Sequence, residues 1–379
     1  MISRQGFLRS LVGAAALLGM GGGTAAASGQ RRAAEAGAAA GRLRGGVCYD
    51  TGVLHAAGEP LSRVRWNRHL LEREIRTIAA ELRCPSITAF GSDLGRLAET
   101  TDAALRNGVQ VFVQPRLYDH PQEEVLAHLA EAARAAERQR TGDNVKFVTG
   151  CEHFLFTPGI LPGATFLDRI RGVESIPETE WPKIIGRFRE FLGRAVDVTR
   201  REFRGKITYG SAAGADALWT DWSLFDFVGL DYYEHFATDA EYTADLDRYR
   251  SRWNKPLMVL EFGCCTFTGA AEAGGMGWDV VDFEADPPVI KPGIVRDERE
   301  QADHVARMLR VFDQEKVAGA HLYSVISPDL PHNPTCRDRD LDIAAYSLFK
   351  AVRERFDDES SPYRLEPKQS YHAFKRHNR

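Results

Sequence analysis

Residues 257–265 read LMVLEFGCC, four apolar side chains running into Glu261 and a turn at Gly263. A short apolar run bounded by turn signals reads as a strand buried on both faces. A carboxylate is costly to bury without a partner, so the position of Glu261 near the strand's end is the informative feature. In a parallel α/β barrel the C-terminal strand ends form the face where chemistry is done, and an acid there emerges from the core instead of sitting in it.

Seven further runs have the same character: GGVCYD (45–50), SITAFG (86–91), VQVFVQ (109–114), VKFVTGC (145–151), KITYGS (206–211), FDFVGLDYY (225–233) and AGAHLYSV (318–325). Amphipathic helical patterns cover 66–82, 94–107, 122–138, 181–203, 239–253, 298–315 and 343–355, with apolar residues at three- and four-residue spacing. Only 212–224 bridge the fifth and sixth strands, so the helix there is short or missing. Eight β/α units predict an α/β fold, a single-domain (β/α)8 TIM barrel over 45–379. A doubly wound open sheet is the alternative, but no G-x-G-x-x-G or Walker-type loop follows the first strand.

Arg4 and Arg9 precede the apolar run LVGAAALLGM, and Ala25-Ala26-Ala27 offers a small-residue cleavage site. This layout predicts an export signal over 1–27, with an uncleaved anchor as the alternative. The opening SRQGFLR is similar to the twin-arginine pattern, with Gln5 in place of the second arginine. Residues 28–44, rich in Ala, Gly and Arg, are expected to form a flexible lead-in. The expected product is exported and has no stable membrane association once the signal is cleaved, because no later apolar run is long enough to span a bilayer.

The chain has 379 residues, 44% hydrophobic and 27% charged, as in ordinary globular proteins. Removing 1–27 takes the basic count from 49 to 47 against 53 acids, and no concentrated basic face is evident, which disfavours a nucleic-acid partner. The six cysteines fit no C-x-x-C pattern and are too few for a disulfide scaffold in a chain this long. Adjacent Cys264 and Cys265 suit a vicinal disulfide or, more readily, two free thiols. The eleven histidines show neither H-x-H nor H-E-x-x-H spacing, so neither metal nor cofactor is expected. Nothing in the residues sets the oligomeric state.

A barrel would gather Asp50, Asp93, Arg116, Glu152, His153, Asp231, Tyr232, Tyr233, Glu261 and Ser324 at the strand ends. Glu152, after the fourth strand, and Glu261, ending the seventh, are the expected catalytic pair. Two carboxylates facing one cavity are the minimum equipment for cleaving a glycosidic bond, provided their surroundings set their pKa values apart. Asp231 and Tyr232 are consecutive, so only one of them points inward. Arg116 suits substrate binding or an ion pair with Asp93 or Glu261. The loop 264–296 is long enough for a lid, and Trp278 in its GGMGWD offers a face for stacking a sugar ring, beside Gly274, Gly275 and Gly277. The insertion 154–179 is expected to wall the other side. The expected substrate-binding set is Asp50, Arg116, His153, Tyr232, Tyr233 and Trp278.

LMVLEFG resembles the strand-seven motif of the large retaining glycoside hydrolase clan built on (β/α)8 barrels. VGLDYY is similar to its strand-six segment, and EPKQSYHAF (366–374) resembles the helix that closes many such barrels. The resemblance implies a carbohydrate substrate, Glu261 as nucleophile, Glu152 as acid/base, and Tyr233 or Tyr232 orienting Glu261, with no cofactor. Two positions depart from the clan: Cys151 stands where it has Asn, and HLYSVIS lacks its strand-eight Trp. These departures keep open a barrel that binds carbohydrate without cleaving it. The chain also resembles, through GGVCYD, QPRLYD, EFGCCT and GGMGWDVVD, a group of actinobacterial exported proteins labelled "abortive infection". That label names a phage-defence phenotype and implies a third role of unknown chemistry.

Overall fold

The computed structural model describes residues 42–55 and 59–379. The expected export signal and residues 28–41 of the expected lead-in lie outside the described residues. Within the last residues of that stretch, Leu43 is anchored to the barrel. The Leu43 N–H donates to Asp313 Oδ1 at 2.7 Å, and His377 Nε2 lies 2.8 Å from the Leu43 carbonyl oxygen.

Eight parallel strands close into a barrel in chain order: β1 (Gly46–Asp50), β2 (Ser86–Gly91), β3 (Gln110–Pro115), β4 (Val145–Cys151), β5 (Ile207–Ala212), β6 (Val228–Tyr232), β7 (Leu257–Phe262) and β8 (Gly319–Leu322). Each lies within one of the eight expected runs or overlaps it closely. Around them run α1 (Arg68–Arg76), α2 (Leu94–Arg106), α3 (Gln122–Gln139), α4 (Trp181–Glu202), α5 (Asp239–Trp253) and α6 (Glu298–Gln314). Short polar residues start several of them. Asp93 caps α2 by accepting from the Gly95 and Arg96 N–H groups, which occupies the carboxylate expected at the mouth. Thr238 and Glu241 form a capping box on α5, and Asn254 ends that helix in the left-handed region. Only two 3-10 turns, Asp216–Leu218 and Trp222–Leu224, lie between β5 and β6.

The helix expected over 343–355 is not formed. A 3-10 turn, Leu341–Ala344, leads into a strand, Phe349–Arg353, paired antiparallel with Tyr363–Pro367. Phe349, Ala351 and Val352 are buried while Lys350 between them is only partly so, a pattern too short to separate strand from helical spacing. The eighth helical position is filled by α7 (Gln369–His377), whose Phe374 is fully buried and which packs on α6. Among the described residues, no helix is long and apolar enough to cross a membrane.

Phe112, Val148, Met258 and Leu260 fill the barrel's interior. Above them, both carboxylate-bearing strands break register. In β7, Val259 pairs with Leu230 and Ala320, but the next partners are Glu261 with Asp231 and Phe262 with Leu322, so β7 carries one residue more than either neighbour. In β4, Val148 pairs with Thr208 and Cys151 with Gly210, which puts an extra residue near Gly150. A bulge of this kind re-aims the side chains that follow it.

Gly150 has φ +86°, and a Cβ built there would lie 2.0 Å from His153 Nε2. Gly150→Ala is therefore expected to cost about 1–3 kcal/mol, through a strained left-handed residue and a packed ring that must move. Chemical denaturation would measure this loss, and an unchanged midpoint would contradict the tight bulge.

Candidate active site

The β7 bulge delivers Glu261 to the C-terminal mouth, where it is only 5% exposed. Both of its oxygens are engaged: Arg116 Nη2 donates to Oε1, and the Tyr233 hydroxyl donates to Oε2 at 2.9 Å. Arg116, just past β3, is itself tightly held. Its Nε and Nη2 both donate to Gln114 Oε1, at 3.0 and 2.6 Å, its Nη1 donates to the Tyr118 hydroxyl at 3.3 Å, and its Cζ lies over the Phe90 ring, 4.0 Å from the ring centre. Burial opposes the guanidinium charge, but the surrounding acidic groups, Cys151, Tyr118 and Glu261 among them, outweigh it and hold the group protonated.

Glu152 follows β4 in the left-handed region, φ 41°, and its N–H donates to the Gly210 carbonyl at 2.7 Å. It is partly open to solvent, unlike Glu261. Burial, then the Glu261 charge, push its carboxyl up to about 8, with Arg116 pulling the other way. The two carboxylates expected to share the chemistry thus sit in different electrostatic surroundings.

Between them lies a third acid. Asp231 pairs in register with Glu261 across β6 and β7 and is 1% exposed. The Cys151 thiol donates to its Oδ2 at 3.5 Å, while Oδ1 has no hydrogen-bond partner among the described residues. Burial, then the charges of Glu261 and Glu152, push Asp231 well above the usual carboxylate range. Glycine at 210 makes room for it, since a Cβ there would lie 3.1 Å from Asp231 Oδ2 and 2.8 Å from Gln114 Nε2. Donor atoms of Cys151, Asp231 and Glu261 lie within 4.8 Å of one another, a set that could hold a metal ion although no ligand spacing along the chain points to one.

Tyr233, of the two candidate tyrosines, reaches Glu261. Tyr232 points outward, contrary to its expected place in the binding set. Its hydroxyl donates to Asp245 Oδ2 on α5 at 2.9 Å, and its ring packs against Tyr242 and Phe312. His153 also turns away from the mouth. Its ring nitrogens meet Thr157 Oγ1 at 2.9 Å and the Thr149 carbonyl at 3.0 Å, its ring stacks on Tyr209, and burial lowers its pKa to about 4. It braces the β4 bulge behind Glu152. Asp50 shapes the loop after β1, accepting from the Gly52 N–H and the Ser62 hydroxyl, both at 2.7 Å. Ser324 is buried, and its hydroxyl donates to the Ile326 carbonyl.

The loop 264–296 is folded, with a 3-10 segment, Gly274–Val280, and a two-stranded ribbon, Val281–Asp282 with Val289–Ile290. The Tyr346 hydroxyl fastens it, accepting from the Gly277 N–H at 3.0 Å and donating to the Gly274 carbonyl at 2.6 Å. Gly275 thereby lies against the Tyr233 ring, and Trp278 stays partly exposed beside Phe283. Cys264 and Cys265 are free, buried thiols.

Sequence reasoning missed Gln114, Tyr118 and Tyr323. Tyr323 stands at the end of β8, stacked on Phe90 at 5.4 Å and near Tyr346, supplying an aromatic ring where the expected Trp is absent. Gln114 had a signal: a polar residue two positions before Arg116, hence on the same strand face.

No family model matches the chain, and no curated protein matches it. Solved structures do. A GH113 beta-1,4-mannanase is 13% identical, the match covering 89% of this chain and 98% of that one at a TM-score of 0.56. The GH113 beta-mannanase AaManA from Alicyclobacillus acidocaldarius is 16% identical, covering 75% and 87% at 0.50. Bacteroides uniformis beta-glucuronidase 2 is 14% identical, covering 82% of this chain and 33% of that one at 0.53. At these identities the likeness establishes a shared architecture, the (β/α)8 barrel.

Proposed function

We propose that this chain is a glycoside hydrolase that cleaves a β-linked oligo- or polysaccharide with retention, using Glu261 as nucleophile and Glu152 as acid/base. The observation that carries this reading is the pair of carboxylates ending β4 and β7 at one barrel mouth, one clamped by Arg116 and Tyr233, the other pushed up to about 8. The mannanases and the glucuronidase that share the fold support it and make β-1,4-mannan the first substrate to test. The expected signal at 1–27 would carry the activity outside the cytoplasm.

Glu152 begins protonated and gives its proton to the leaving oxygen while Glu261 bonds the anomeric carbon. The Glu261 charge is consumed in that bond, which removes one of the two influences that raise Glu152. Its pKa therefore falls as its role changes, and the resulting carboxylate takes a proton from the water that displaces Glu261. Arg116 and Tyr233 hold the nucleophile's two oxygens, so its orientation does not depend on substrate.

A binding barrel without turnover is the second reading. It is favoured by the enclosure of Glu261 and by Cys151 in place of an amide donor. Calorimetric saccharide binding with no product from any oligosaccharide would select it.

On a mannooligosaccharide or aryl β-glycoside that the native protein turns over, Glu152→Gln is expected to lower kcat about 10²–10⁴-fold. Glu261→Gln is expected to abolish turnover and labelling by 2-fluoro or cyclophellitol-type inhibitors. Full activity in both variants would sink the assignment. Because the acid must carry its proton, kcat/KM should hold below about pH 8 and decline above it as Glu152 ionises. A profile flat to about pH 10 would exclude Glu152 as the acid.

A further inference from the structure

We propose that Cys151, Asp231 and Glu261 form a binding site for a thiophilic divalent cation of zinc's size. The three side chains come from β4, β6 and β7, all are buried, and their donor atoms lie within 4.8 Å of one another. Tetrahedral zinc, with Zn–S about 2.3 Å and Zn–O about 2.0 Å, requires a sulfur–oxygen edge of about 3.5 Å. Cys151 Sγ and Asp231 Oδ2 are 3.5 Å apart.

An independent observation points to a ligand. Asp231 Oδ1 is buried without a hydrogen-bond partner among the described residues, and the carboxyl occupies space left by glycine at 210. Protonating Asp231 would remove its charge but leave that side of the carboxyl still unbonded, whereas a cation gripped through both carboxylate oxygens, Oδ2 beside Cys151 and Oδ1, meets the charge and gives Oδ1 a partner. Arg116 and Tyr233 already donate to the two Glu261 oxygens, and each oxygen keeps a second lone pair for a metal. The Arg116 charge opposes an incoming cation; the Glu261 charge and the Asp231 carboxylate formed on binding favour it. On binding, the Cys151 thiol and the Asp231 carboxyl each release a proton to solvent, and the sulfur and the carboxylate become ligands. The bound ion sits on Glu261, so under the proposed function it blocks the nucleophile, and zinc acts as an inhibitor.

The test uses cobalt(II) as probe on the full chain without substrate, so its result is independent of whether hydrolysis is found. Saturable thiolate-to-cobalt charge-transfer absorption at one equivalent, bleached by zinc, is expected. Cys151→Ser should abolish it, Asp231→Asn should weaken cobalt binding roughly tenfold or more, and Cys336→Ser, which removes the exposed thiol, should leave it unchanged. No band in the native protein, or a band that survives Cys151→Ser, overturns the site. Should Cys151→Ser fail to fold, mass mapping of alkylation on the native protein reads the same site. Zinc should slow labelling of Cys151, and unchanged labelling would overturn the proposal.

Discussion

The buried ion pair between Arg116 and Glu261 organises this barrel's working end. β3 and β7 lie on opposite sides of an eight-stranded ring, so the pair spans the mouth instead of joining neighbours. Neither charge would be tolerated alone at that depth, and removing one partner of such a pair costs about 3–5 kcal/mol. The supporting contacts suit that demand: Gln114 accepts twice from the guanidinium, its Cζ lies over the Phe90 ring, and Tyr233 satisfies the other carboxylate oxygen. The folded loop after β7 then rests on Tyr233 through Gly275 and is fastened by Tyr346, so the mouth's outer wall is built on the same pair.

One guanidinium faces three carboxyl groups. Glu261 holds the direct contact, so the charge left over is managed by protons on Glu152 and Asp231, both shifted upward by burial and by repulsion from Glu261. The rise at Glu152 thus comes from its burial and then from the Glu261 charge, with Arg116 opposing it. Their backbone settings differ as well: Glu152 leaves the sheet in a left-handed conformation, while Glu261 is still within its strand.

The barrel is legible in the sequence because eight apolar runs separated by amphipathic stretches admit few architectures. Glu152 and Glu261 are legible because an acid at the end of an otherwise apolar run must emerge where the strand leaves the core. Side-chain direction is harder to read. One extra residue in β4 and one in β7 change which positions face inward without altering composition, and only Gly150 hints at either. Strict alternation correctly makes Asp231 and Tyr232 exclusive but does not say which faces the lumen. His153 and Asp50 depart from expectation for a related reason, since a polar residue at a strand end can serve the loop that follows as readily as a ligand. In 343–355 the helical and strand periods are both present, and the pairing with Tyr363–Pro367 decides between them, a contact no local pattern contains.

An enclosed site with three carboxyl groups and one guanidinium lacks positive charge, by two units when all three carboxyls are ionised. Protons supply it at rest but leave Asp231 poorly bonded. A divalent cation would supply it more completely, and so would the positive charge that develops on a sugar ring as its glycosidic bond breaks. Under the proposed function the second case matters for catalysis, because a neutral substrate draws little benefit from the Glu261 charge while an oxocarbenium-like transition state draws a great deal, and only that difference lowers a barrier. The metal and the transition state would thus answer the same electrostatic deficit, and their shared dependence on Glu261 makes them competitors for one place.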